Sequence, residues 1–473
     1  MPVRYNHWIA GKHTSPHGGR YLDMFDPRTR QPAGEVARGC ALDIDVAVRE
    51  AIAAQAEWAS RSTAERASVL YHIADAIDAH APALVELERA CTGKIQGQAQ
   101  SEIEMSAAYF RYYAGAIRAF NGRTIDQGSA SHTYTRLEPY GVVGVITPWN
   151  YPLNQVSRAA APAIAVGNAV VAKPSEYTST STLQLAQIAT EAGLPAGLFN
   201  VVTGLGEETG RALAVHPAVR KIAFTGSVKS AQRLAAVAAQ RLIPLTLELG
   251  GKSPLVIFAD ADLDRAALAA VAALARNAGQ VCSATMRLLV EKVVHDEVVA
   301  RVVEGAERLR PGVDFGPMIT ETQYHKVIDC FAQARRAGLE PRTGGAAFES
   351  GAAAQGWYVR PTVYAGVSST MPIARDEIFG PVLVVMPFCS EAEAIAMAND
   401  TEYGLAASIW SGDLPRALRT AHQIAAGQIA VNGGPLSVEA PFGGFKLSGY
   451  GREKGLEALH EYAQVKAISI SLA

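Results

Sequence analysis

Residues 142–173 read VVGVITPWNYPLNQVSRAAAPAIAVGNAVVAK. A short run of small and β-branched residues leads into a turn braced by Pro148 and Pro152. An alanine-rich segment of helical length follows, and after Gly167 and Asn168 a second apolar run, AVVAK, begins. Two buried-strand patterns separated by one helix predict parallel strands joined by a crossover. The same rhythm continues in FNVVT (199–203), KIAFT (221–225), PLTLEL (244–249) and PLVIF (254–258), each followed by small or polar residues. The expected fold class is therefore α/β, a largely parallel sheet with helices on both faces. A second strand-and-helix series runs from Leu288 through VLVVMPF and EAEAIAMAND to IAVNG, after an interruption at Gly344-Gly345 and ESGAAAQGW. It predicts a second α/β domain.

Upstream, from Asp43 to about Phe120, apolar residues recur at helical spacing in alanine-rich segments, with Asp43 and Ser62 or Thr63 as candidate caps. HTYTRLEPYG (132–141) alternates instead and predicts an exposed hairpin arm. A chain of 473 residues, 49% apolar and 19% charged, has enough apolar material for two or three domains. A formal charge of −2 with mixed signs offers no basic stripe for nucleic acid or anionic membrane. MPVRYNHWIAGKH has no apolar leader pattern and no later run reaches membrane-spanning length, so a soluble, cytoplasmic protein is expected. The cysteines (Cys40, Cys91, Cys282, Cys330, Cys389) are scattered and without metal-ligand spacing, so neither disulfides nor a metal site are expected.

Three residues stand out chemically. Cys282 sits in RNAGQVCSATMR, a run of small and polar residues that suits a thiol reached by other molecules. Taken alone it also reads as a small buried hydrophobe. Glu248 ends an apolar strand just before Gly250-Gly251, at the sheet edge where ligands bind in such folds, and a desolvated glutamate there can activate water. A solvated strand-end glutamate is the plain alternative. Asn150 lies in a Pro-flanked turn between strand and helix, where a side-chain amide can be held as an oxyanion donor or can simply shape the loop.

PWNYP, AKPSE, FTGS, LELGGK, GQVC, EIFGPV and PFGGFKLSGYGRE occur in the order and approximate spacing of the NAD(P)-dependent aldehyde dehydrogenase superfamily, and nearly the whole chain resembles it. The resemblance implies a Rossmann-type cofactor domain (1–120 and 140–249), a catalytic α/β domain (250–445) and a β oligomerisation arm (121–139 and 456–473). It implies Cys282 as nucleophile, Glu248 as general base, and Asn150 with the Cys282 N–H as oxyanion hole. The cofactor would lie against Thr147, Pro148, Trp149, Lys173, Ser175, Glu176, Gly206, Phe224, Gly226, Ser227, Leu249, Glu377 and Phe379. Lys173 and Glu176 resemble the pair that holds the adenosine ribose, and a carboxylate there favours NAD, with NADP as the alternative. Many relatives read GSxxxG after the strand KIAFT, where this chain has Ala231 in place of the second glycine; a methyl group there can crowd the helix or the pyrophosphate, and cofactor binding is nonetheless expected to survive.

The helix after Asn150 carries Asn154, Gln155 and Arg158 as a polar stripe, and Arg276 precedes Cys282 by one short segment. Arg158 and Arg276 resemble the arginine pair with which succinic semialdehyde dehydrogenases hold a distal carboxylate, with Ser437 assisting. An arginine like Arg158 also occurs in relatives that oxidise aromatic aldehydes, for which Tyr151 and Phe442 are the ring contacts. A coenzyme A-acylating enzyme would lack a base such as Glu248, and a non-catalytic relative would have lost part of the constellation. Through the arm and the terminal AQVKAISISLA, the resemblance implies a homodimer or homotetramer, the last strand adding to a neighbour's sheet edge.

Overall fold

The computed structural model describes residues 3–472. Residues 1, 2 and 473, the outermost positions of the expected cofactor domain and arm, lie outside the described residues. An eight-stranded sheet runs in the order Gly449–Tyr450, Leu245–Glu248, Val219–Thr225, Val142–Ile146, Ala169–Lys173, Phe199–Val201, His7–Ile9 and Lys12–Thr14. Its interior pairs are parallel, from Leu245–Glu248 to Phe199–Val201. Antiparallel strands close both edges, two from the chain's start on one side and one from near its end on the other. A six-stranded, wholly parallel sheet runs in the order Thr362–Ala365, Val382–Phe388, Arg287–Glu291, Pro254–Ile257, Ala406–Trp410 and Gln428–Val431. The chain crosses from one sheet to the other between Glu248 and Pro254. A side chain on Gly251 would meet the Cys282 carbonyl oxygen at 2.8 Å, so only glycine lets this crossing pass so close to the cysteine loop.

The helix that completes the opening βαβ unit, Pro152–Val166, is buried along almost its whole length. Its alanines permit close approach to Gln96–Ala116 and to the neighbouring strands. A buried helix must still satisfy its terminal backbone groups. At its C-terminal end the indole N–H of Trp58 donates to the Ile164 carbonyl at 2.8 Å and the Arg66 guanidinium to that of Ala165 at 2.9 Å. Both side chains come from the upstream helices Ala41–Ser60 and Thr63–Ala79. Ser62 caps the second of these; Asp43 instead lies inside the first, its carboxylate accepting the Cys40 and His17 N–H groups.

The arm is a three-stranded sheet in which Ser131–Pro139 lies between Thr124–Ile125 and Ala463–Ser471. The C-terminal strand, expected on a neighbour's edge, pairs along its full length with Ser131–Pro139 of its own chain. Its outer edge has no partner among the described residues. No helix among them is long and apolar enough to cross a membrane.

Candidate active site

A cleft at the strand ends of the eight-stranded sheet is lined by Trp149, Asn150, Gln155, Glu248, Cys282 and Phe379, among others. Asn150 follows the strand Val142–Ile146 and precedes the helix Pro152–Val166. The first N–H groups of that helix are met by buried carboxylates: Glu88 accepts from Leu153 at 3.1 Å and Glu102 from Asn154 at 3.1 Å. Negative charge at a helix N-terminus is stabilising. Lys94, fully buried, pairs with Glu102 and lies 4.0 Å from Glu88, and its ammonium stands 4.2 Å from the centre of the Tyr151 ring. The turn carrying Asn150 therefore rests on a buried ionic cluster supplied by the upstream helices.

A buried amide network joins that turn to the cysteine loop. Asn150 Oδ1 accepts from Gln155 at 3.2 Å and Asn150 Nδ2 donates to the Gln280 carbonyl at 3.0 Å. Asn277 Nδ2 donates to the Asn150 carbonyl at 3.0 Å, and Gln280 binds the backbone of Asn277, Pro317 and Ile319. Asn277 and Ala278, at φ of 47° and 50°, stand in the left-handed region ahead of Gly279 at 73°. Non-glycine residues reach that region at a cost of about 1–2 kcal/mol each, and here the amide network holds them there. The strained turn delivers Cys282, partly exposed, into the cleft opposite Asn150.

Burial pushes the Cys282 thiol up to about 11, while Arg158 acts to lower it. Glu248 is 2% exposed and neither carboxyl oxygen has a hydrogen-bond partner among the described residues. Burial first, and Glu453 second, hold it well above the ordinary carboxylate range. Arg158 and Glu453 form a buried ion pair, and the Arg158 guanidinium lies 4.8 Å from the centre of the Phe442 ring. Phe442 and Glu453 exchange backbone hydrogen bonds in both directions. Next in sequence, Lys454 is pushed down to about 8, by burial and then by Arg158.

On the far side of the cleft, Pro148, Trp149, Gly226, Ser227, Leu249, Glu377 and Phe379 line the wall. Thr147 and Ser175 are buried at the ends of their strands, and Phe224 folds against Gly226. Lys173 and Glu176 pair at 3.2 Å. Glu377 turns onto the glycine crossing, accepting the Gly251 N–H at 3.0 Å, and the Trp149 and Phe379 rings meet edge-on at 5.5 Å. Gly206 is exposed and faces open space. Ala231 is buried in a regular first helical turn, its N–H on the Ser227 carbonyl at 2.9 Å.

The structure does not assemble the expected arginine clamp. Arg158 is already paired with Glu453; Arg276 is exposed just past the helix Leu263–Ala275, within electrostatic reach of Tyr151; Ser437 is exposed in its loop. Tyr151 and Phe442 are both occupied by cations, Lys94 and Arg158. Sequence reading missed Glu453 and Lys454, although both stand in or beside the quoted GYGRE motif. It also missed Gln323 and Lys326, which hold the EIFG loop through its backbone carbonyls. Only the sequence neighbours Gly93 and Gly455 mark Lys94 and Lys454 as unusual.

The family model of the aldehyde dehydrogenase family matches residues 13–468. Among solved structures, an NAD-dependent aldehyde dehydrogenase from Sinorhizobium meliloti is 39% identical, with a TM-score of 0.97 over 100% of this chain and 96% of that one. An indole-3-acetaldehyde dehydrogenase of P. syringae, solved with NAD+, is 36% identical with a TM-score of 0.97 over 100% and 97%. A betaine aldehyde dehydrogenase from Staphylococcus aureus, also with NAD+, is 33% identical with a TM-score of 0.96 over 99% and 96%.

Proposed function

Because the chain belongs to the aldehyde dehydrogenase family, we propose that it oxidises an aldehyde to the carboxylic acid, with NAD+ as hydride acceptor and water as acyl acceptor, through a thioester on Cys282. The observation that carries this reading is that Cys282, Asn150 and an unpartnered Glu248 carboxyl share one cleft. The residues on its far wall fit a dinucleotide. Gly206 leaves room for a planar base, the Lys173–Glu176 pair suits ribose hydroxyls, and the helix after Ser227 offers its first turn to a phosphate. When bound, NAD+ supplies the hydride acceptor.

The Cys282 thiol releases its proton to water in the cleft and the thiolate adds to the carbonyl carbon, the carbonyl pair moving onto oxygen. Asn150 uses one amide hydrogen on Gln280, which leaves the other, together with the Cys282 N–H, to hold that oxyanion. After hydride loss the acyl group remains on sulfur. Glu248, held toward its neutral form at rest, first releases its proton to solvent; the carboxylate then takes a proton from water, the hydroxide adds to the thioester, and the thiolate leaves as the acid is released. A coenzyme A-acylating reaction would not require this carboxyl. NADH absorbance measured on an aldehyde panel with and without coenzyme A tests the scheme; turnover only with coenzyme A refutes it.

For the substrate we favour an aldehyde with a distal carboxylate, such as succinic semialdehyde. Once Arg158 and Glu453 cancel, Lys454 is the cation left within electrostatic reach of Cys282, while Glu377 is a carboxyl on the cleft's far wall. An aromatic aldehyde is the weaker alternative, because the candidate rings Phe442 and Tyr151 already face cations. Five unpaired cysteines fit a reducing, cytoplasmic setting. The open edge of Ala463–Ser471, with Val465 and Ile470 exposed, supports assembly into a dimer or tetramer through the arm. Light scattering on the full chain tests this, and a monomer refutes it.

A further inference from the structure

We propose that Lys454, rather than Arg158 or Arg276, is the residue that selects an anionic aldehyde. The inference rests on the carboxylated-substrate reading and names the group that enforces it.

The argument begins with charge and place. Phe442 and Glu453 are locked together by reciprocal backbone hydrogen bonds, which fixes Lys454 beside the Phe442 ring. Its ammonium stands 5.3 Å from the centre of that ring, and the Arg158 guanidinium stands 4.8 Å from the same centre. The two cations thus share one aromatic side chain, but their partners differ. Arg158 has the Glu453 carboxylate; Lys454 forms no ion pair among the described residues. The charged and titratable groups within reach of Lys454 are Arg158, Cys282, Glu453 and Glu248. Of these, Glu453 is taken and Glu248 is held toward its neutral form. A half-buried ammonium with no carboxylate of its own, packed on Phe442 and within electrostatic reach of Cys282, favours a ligand that brings one. A flexible four-carbon stem also suits it to reach a carboxylate at a variable distance from the aldehyde carbon. Burial lowers this lysine and Arg158 adds to the effect, and an incoming anion offsets both.

The test compares the full-length enzyme with Lys454→Met, Lys454→Arg and Arg276→Leu at saturating NAD+, using succinic semialdehyde and butanal. One charge-assisted contact predicts that the ratio of kcat/KM values, charged over uncharged, falls about ten- to a hundredfold in Lys454→Met. The fall is expected mainly in KM for succinic semialdehyde, with Lys454→Arg restoring most of the ratio. An equal loss on both aldehydes overturns the proposal, since Lys454 then acts on the thiol or on Glu248. A ratio kept in Lys454→Met and lost in Arg276→Leu overturns it in favour of the exposed arginine. A parent enzyme with no preference for succinic semialdehyde refutes the substrate reading itself, a result seen before any variant is made.

Discussion

The side-chain amide of Asn150 donates to the backbone carbonyl of Gln280 at 3.0 Å, so the turn after the first parallel strand and the loop bearing Cys282 are one rigid piece. The same amide has a second hydrogen for the oxyanion. Asn150→Ala removes both, and the single-turnover rate of NADH formation is expected to fall by roughly 10²–10³. NAD+ affinity, measured by fluorescence quenching, should stay within a few fold. A rate within threefold of the parent's would remove Asn150 from the oxyanion hole.

If Cys282 is the nucleophile as proposed, Cys282→Ala should abolish NADH formation with little change in NAD+ binding. Glu248→Gln should keep a pre-steady-state burst of NADH and lose steady turnover, since hydride leaves before water attacks. If the burst vanishes as well, Glu248 is needed to deprotonate the thiol.

The pH dependence of the free thiol follows from its burial. With the Cys282 thiol pushed up to about 11, the reactive thiolate is a small fraction at neutral pH and grows about tenfold per pH unit below that value. Alkylation of Cys282 by iodoacetamide in the absence of NAD+ should therefore still be accelerating at pH 9. A plateau near pH 7 would mean that a base lowers the thiol in the resting enzyme.

The strands were legible because short β-branched runs bounded by small and polar residues leave few other readings. The family resemblance located Cys282, Glu248 and Asn150 within one cleft. What was not legible depends on contacts between distant segments. Nothing near Arg158 in sequence reveals that Glu453 neutralises it, and Glu88, Lys94 and Glu102 read as ordinary helical surface. Glu102 is buried because its helix Gln96–Ala116 covers Pro152–Val166, and Glu88, on the preceding helix, and Lys94, in the loop between the two, turn toward the same helix start. The C-terminal strand's pairing with Ser131–Pro139 of its own chain was not legible for the same reason: pattern shows that a segment is a strand but not which strands lie along its edges.

Cofactor choice depends on Glu176, whose carboxylate would meet a 2′-phosphate with like charge. NAD+ should exceed NADP+ in kcat/KM, and Glu176→Ala should narrow the gap. It frees Lys173, now paired at 3.2 Å, to face the phosphate. Equal use of both cofactors by the parent enzyme would refute this assignment.

The Arg158–Glu453 pair yields the prediction that separates a structural arginine from a substrate-binding one. Both side chains are buried, so Arg158→Leu leaves a carboxylate without its counter-charge, a loss of about 3–5 kcal/mol unless Glu453 takes up a proton. Burial already raises the Glu453 carboxyl, so protonation is accessible and the cost should be smallest at low pH. The raised value means the proton is held more tightly in the folded than in the unfolded chain, so the variant's deficit should grow as pH rises through the carboxylate range and above. Denaturant titrations at pH 5.5 and 8 measure this. Replacing both partners by leucine should recover much of the stability, since removing a buried pair together is far less costly than orphaning one member. Activity of the single variant should fall to the same degree on succinic semialdehyde and on butanal, because the guanidinium serves Glu453 rather than the ligand. A loss confined to the charged aldehyde, with unfolding unchanged, would return Arg158 to the substrate.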